Sequence, residues 1–291
     1  MKKIVLSLSM IGAVAVLAIG ATGAFFSDSE TSTGNTFAAG AIDLQIDNES
    51  YVTSTTTGQL VASANTSWTL RDLTIERFFD FDDVKPGDIG EDTISLHVNN
   101  NDSWLCVDVT LTSDDDNTCT EPEGSDEKMD ANGATTTPSC NTQGELADNI
   151  NFIWWADDGD NVLEQGENVL EGGPLGALSV DQTAYMTLAD SQMNIWANNA
   201  TGTPLVGGSE RFIGKAWCFG AISSAAVTQD GFGKTGQNGP LVRGTGVSCD
   251  GAAGLNNVTQ TDSMTADVSF YAVQSRNNPG FICSQRNNSN D

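Results

Sequence analysis

Histidine and positive charge are what this chain has least of. Its 291 residues include a single histidine, His97, so an H-E-x-x-H zinc helix, which needs two histidines one turn apart, cannot be built. A serine or cysteine nucleophile with a histidine base would have the same lone candidate, and no G-x-S-x-G turn is present. On an alternating segment, His97 reads as a strand surface residue rather than a ligand. Lysine and arginine together number 12 against 39 acidic residues, a net charge of −27. So acidic a surface is repelled by phosphate backbones and anionic lipid, which argues against nucleic acid as a partner. Three readings of the acidity stay open: a saline habitat, divalent-cation binding, or solubility through repulsion. Paired carboxylates also serve glycosidases, but with so many acids such pairs carry no signal. The six cysteines contain no C-x-x-C pair, which weakens zinc-thiolate and thioredoxin-like readings.

What is present begins with a leader. Lys2 and Lys3 precede an apolar run from Ile4 to Ala21, and small residues Thr22 and Ala24 follow. A basic start, an apolar middle and a small-residue end describe a secretory signal peptide over residues 1–24, cut between Ala24 and Phe25. The rival is a retained membrane anchor, since about 20 apolar residues span a bilayer. Cleavage implies a secreted, extracellular or cell-surface protein with no stable membrane insertion afterwards. All six cysteines lie beyond the cut, where an oxidising compartment favours disulfides.

Helical periodicity is scarce in the rest of the chain. Short alternating runs recur instead between turn residues: 41–46, 93–98, 105–111, 149–155, 184–188, 211–219 and 266–273. Period-two spacing of this kind predicts an all-β fold, a jelly-roll-like β-sandwich over residues 41–291. In LCVDVTL, Leu105, Val107, Val109 and Leu111 should face the core, with Asp108 and Thr110 outward. Residues 112–143 and 228–254 read as surface insertions, the first acidic and the second glycine-rich. Bridges Cys119–Cys140 and Cys218–Cys249 would close them, each contributing about 3 kcal/mol by loop-closure arithmetic. Cys106 and Cys283 remain for a third bridge, although six cysteines permit about 15 pairings. Six N-x-S/T sequons, at Asn48, Asn65, Asn101, Asn199, Asn257 and Asn287, permit surface glycans.

The densest chemical constellation is WWADDGDNVLEQGE, residues 154–167. Asp157, Asp158, Asp160, Glu164 and Glu167 offer hard oxygen ligands on a turn, the donor type that Ca²⁺ takes. The spacing is not that of an EF-hand, and the competing reading is a solvated acidic hairpin turn. Asp114–Asn117 (DDDN) forms a second, sparser candidate. Trp154 and Trp155 must point to opposite faces of a strand. One enters the core; the other is exposed, covered by a loop, or covered by a partner.

Several of these features resemble the TasA/camelysin family of exported proteins with SipW-type signal peptides. They are T-x-A followed by Phe26, Ser27 and Asp28; F-A-A-G at Phe37–Gly40; and Ile42–Leu44. K-P-G-D at Lys85–Asp88, the N-x-x-S turn after the next strand, and F-x-A-x-Q at Phe270–Gln274 also match. The resemblance covers residues 20–46, 84–111 and 266–274, not the cysteine-containing insertions. It implies a jelly-roll subunit that polymerises head to tail into biofilm fibres or pili, released by a SipW-type signal peptidase. The mature N-terminus, residues 25–40, would be a donor strand carrying Phe25, Phe26 and Phe37. Burying two phenylalanines contributes roughly 3–6 kcal/mol before the ordering of the arm is subtracted. The family also includes casein-cleaving metalloproteases, an activity that the lone histidine argues against. The expectation is thus a structural protein and not an enzyme, with a monomeric calcium-binding surface module as the alternative.

Overall fold

The computed structural model describes residues 27–31, 42–118, 120, 123, 144–197, 202–254 and 257–288. Ala24, Phe25, Phe26, Phe37, Cys119 and Cys140 lie outside the described residues. So do the leader and most of the first insertion.

Thirteen strands run through the described residues: β1 (Ser27–Thr31), β2 (Asp43–Thr53), β3 (Leu60–Ala62), β4 (Trp68–Arg71), β5 (Ile89–Asn99), β6 (Ser103–Asp115), β7 (Ile150–Asp157), β8 (Val169–Pro174), β9 (Thr183–Ala189), β10 (Ser209–Phe219), β11 (Ala221–Ser224), β12 (Val247–Asp250) and β13 (Ser263–Gln274). Two one-turn helices, α1 (Leu146–Asn149) and α2 (Pro240–Arg243), sit in connections. Among the described residues no helix is long and apolar enough to cross a membrane. The chain is an antiparallel all-β protein. One sheet has the order β1-β13-β6-β9, and a larger one runs β3-β2-β5-β10-β7-β8 with β4 also on β2. β11 and β12 form a small third sheet.

Five of the seven alternating runs lie within β5, β6, β9, β10 and β13; the other two overlap β2 from Asp43 and β7 from Ile150. The alternation works because a strand sends successive side chains to opposite faces. Leu105, Val107, Val109 and Leu111 are buried as their period requires, whereas Asp108 and Thr110 are only half-buried. They join Leu44, Ile94, Leu96, Trp154, Ile213, Val268 and Phe270 in one core between the two main sheets. The strands that alternation misses are short or atypical. β3 and β4 are mostly exposed, β8 reads VLEGGP, and β1 reads SDSET with no apolar residue.

Strand structure reaches into both insertions. β6 continues through Asp115, so the first excursion starts later than residue 112. The second contains α2 and β12, and β12 pairs with β11. Cys218–Cys249 ties β10 to that hairpin, and Cys106–Cys283 ties the middle of β6 to the C-terminal 3-10 turn. The sequon at Asn48 is closed to glycans. Its side chain is 3% exposed and its Nδ2 donates to the Thr66 carbonyl at 2.6 Å.

Two glycines explain how tryptophans lie flat on the large sheet. Trp155 is directly opposite Gly214, and Trp217 is opposite Gly90. A Cβ at Gly214 would stand 1.9 Å from the Trp155 ring. Gly214→Ala should therefore destabilise the protein by about 1–3 kcal/mol, since a fully buried indole has nowhere to move. A urea midpoint equal to that of the parent would contradict this packing.

Candidate functional site

The outward face of the large sheet is not bare. Trp154 enters the main core, while Trp155, 0% exposed, packs with Ile153, Leu163 and Ala216 in a second small core. Ile222, Ala226 and Val247 close over that core. The β11–β12 hairpin and its loop thus cover the second tryptophan. The acidic turn 157–167 contributes Leu163 to that core.

Hydrogen bonding divides the five carboxylates singled out by sequence. Asp157 ends β7 with both oxygens occupied. Oδ1 accepts from Trp155 Nε1 at 3.1 Å, and Oδ2 from Thr93 Oγ1 at 3.1 Å and the Gly159 amide at 3.0 Å. These bonds shape the turn, helped by Gly159 and Asn161 at φ 112° and 64°. Asp160 caps the Val162 amide with Oδ1 at 3.0 Å and receives Arg243 Nη1 on Oδ2 at 2.9 Å. Arg243, from α2, also pairs with Glu164 and with Asp230, the latter at 3.1 Å. A single guanidinium therefore serves three carboxylates.

Open valence remains on the other side of Glu164. Its Oε2 is buried without a donor, and so is Asp158 Oδ1. Glu167 joins them, its two oxygens accepting from the amides of Asp158 at 3.1 Å and Glu164 at 2.8 Å. One ligand atom each from Asp158, Glu164 and Glu167 lies within 4.8 Å of the others. The structure thus brings all five predicted residues together, with Asp158, Glu164 and Glu167 as one cluster of ligand atoms and Asp157 and Asp160 beside it.

Crowding shows in the acidities. Burial pushes the carboxyl of Glu167 up to about 9, reinforced by Asp157. Asp160 is raised to about 7 by burial and by Asp157 and Asp158, and burial lifts Asp157 to about 6. Beneath them on β5, Glu91 is fully buried with no donor on either oxygen. Burial, then Asp157, holds its carboxyl well above the usual range. Sequence reasoning missed Glu91, Asp230 and Arg243. The one signal available for Glu91 was an acid in a strand whose neighbours alternate.

The other sequence candidates land elsewhere. His97 sits on β5, half-buried, with Nε2 2.9 Å from Glu210 and 3.0 Å from Ser95 Oγ. An apolar cleft of about 160 Å³ opens between the main sheets beside β8 and β9. It is lined by Phe79, Phe152, Trp154, Met186 and Val268 among others, and no titratable side chain reaches it. Comparison with protein-family models and with curated proteins returns no match.

Proposed function

We propose that this protein is an exported structural subunit that assembles into extracellular fibres by exchanging its N-terminal strand. The observation that carries this reading is the position of β1. β2 with β3 and β4, and the hairpin β11–β12, can be set aside as additions. The remaining strands, renumbered in chain order, then run first, eighth, third, sixth in one sheet and second, seventh, fourth, fifth in the other. That order supports the finer reading of a jelly roll, with β1 as its first strand.

β1 is also the strand most easily given up. Among the described residues it lies at a sheet edge and pairs with β13 alone, from Ser27 opposite Val273 to Thr31 opposite Ser269. SDSET has no apolar side chain to bury, so its attachment rests on main-chain hydrogen bonds that the same segment of a neighbouring subunit can replace. Vacating β13 would uncover an edge beside Val268, Phe270 and Ala272, each at most 1% exposed. An open apolar edge invites another strand.

Deleting residues 25–35 from the mature protein should abolish filaments in electron micrographs, and a peptide of that segment should bind the truncated subunit one to one. Filaments that persist after the deletion would end the proposal. Like-charged subunits should also need salt, because screening over about 10 Å takes 0.1 M ionic strength. A second reading, a calcium-binding surface module, is favoured by the donorless oxygens of Asp158 and Glu164.

A further inference from the structure

A separate group of acids lies at the far end of the smaller sheet. Asp116 follows the last residue of β6, Asp262 precedes the first residue of β13, and Glu123 comes from the first insertion. One ligand atom from each lies within 4.8 Å of the others. Glu123 is 0% exposed, and its Oε1 has no donor. Asp116 Oδ1 and Asp262 Oδ1 are likewise buried without one.

The remaining oxygens show that the carboxylates are held in place. Glu123 Oε2 accepts from the Thr120 amide at 2.8 Å. Asp262 Oδ2 accepts from the amides of Glu145 at 2.7 Å and Leu146 at 3.1 Å, at the start of α1. Glu123 and Asp262 are thus each held by the second oxygen, and one oxygen on each of the three side chains is left without a donor. The other acidic cluster has Arg243 within it. None of the ion pairs among the described residues includes Asp116, Glu123 or Asp262. Burial, with Glu123 and Asp116 close by, lifts the Asp262 carboxyl to about 6.

We propose that Asp116, Glu123 and Asp262 bind a calcium ion that fastens the first insertion to the adjoining ends of β6 and β13. Three carboxylates supply the hard oxygens that calcium prefers, and water completes a shell of about six to eight. Buried carboxylate oxygens without donors carry a desolvation penalty that a bound cation removes. This site is independent of strand exchange and of the Asp158–Glu164–Glu167 group.

Calorimetric titration of chelator-stripped mature protein with calcium chloride tests it. In a Glu164→Gln background, which disables the other cluster, about one equivalent of calcium should still bind. Adding Glu123→Gln or Asp116→Asn should weaken that binding at least tenfold. Circular dichroism in chelator should match the background and melting should be no lower, because both amides keep the side-chain shape and remove repulsion. Asp116→Asn guards against misfolding, since none of the hydrogen bonds described depends on its carboxylate. No calcium heat in the Glu164→Gln background, or binding unchanged by both added substitutions, would overturn the proposal.

Discussion

Lys215→Met should destabilise the protein by about 3–5 kcal/mol, a large share of the stability of a typical domain. Lys215 points from β10 into the main core, where its side chain is 0% exposed and its Nζ lies 2.7 Å from Asp92 Oδ2. Asp92 is directly opposite on β5 and equally buried. The aromatic rings of Phe79, Phe152 and Trp154 surround the ammonium at 5.1 to 5.9 Å. Burial raises the Asp92 carboxyl, and Lys215 is the chief influence that opposes this. Removing only the lysine strands a carboxylate among aromatic side chains, which is the unfavourable half of a buried ion pair. The double variant Lys215→Met with Asp92→Leu should recover most of the loss, since two apolar side chains replace two desolvated charges. Urea unfolding of the parent, single and double variants gives the comparison. A double variant as unstable as the single one would show that the pair is not the source of the effect.

The second large effect is expected from pH in the absence of calcium. Glu167, Asp160 and Asp157, at about 9, 7 and 6, all sit above their unfolded values. The folded chain therefore holds these protons longer than the unfolded chain. The stabilisation is complete below the unfolded values near pH 4 and is lost as pH rises through the folded ones. In chelator, the urea midpoint should fall between pH 5 and pH 9. Calcium held by the carboxylates of Asp158, Glu164 and Glu167 should reverse that fall, adding about 2.7 kcal/mol at a hundredfold excess over its dissociation constant. Asp158→Asn with Glu164→Gln should lose this share of the rescue and keep any share due to Asp116, Glu123 and Asp262. An equal calcium response in the double variant and the parent would remove the Asp158–Glu164–Glu167 group as a cation site.

The placement of Lys215 was partly legible beforehand. In RFIGKAWCF it holds an inward position between Ile213 and Trp217, and a lysine on the core face of a strand announces a buried partner. Its partner Asp92 lies one residue before the alternating run 93–98 that marks β5, so the pair does not emerge from that pattern. The acidic turn followed the same course. WWADDGDNVLEQGE marks the place by its density of carboxylates, yet Arg243 reaches Asp160 across 83 residues of sequence and Glu91 arrives from another strand.

The amino-acid order by itself determined what is local: the β class, the strand faces in seven alternating runs, the excess of acidic residues and the neighbourhood of the carboxylate-rich turn. It also nominated Cys106–Cys283 and Cys218–Cys249, by loop content and by elimination, without excluding other pairings. The tertiary structure alone decided that the β11–β12 hairpin helps to bury Trp155, that a guanidinium occupies one side of the acidic group, and that SDSET fills an edge of its own sheet. The reason is that side-chain alternation needs only neighbours along a strand. Charge compensation, loop cover and edge pairing depend on segments distant in sequence that meet only once the sheets have formed.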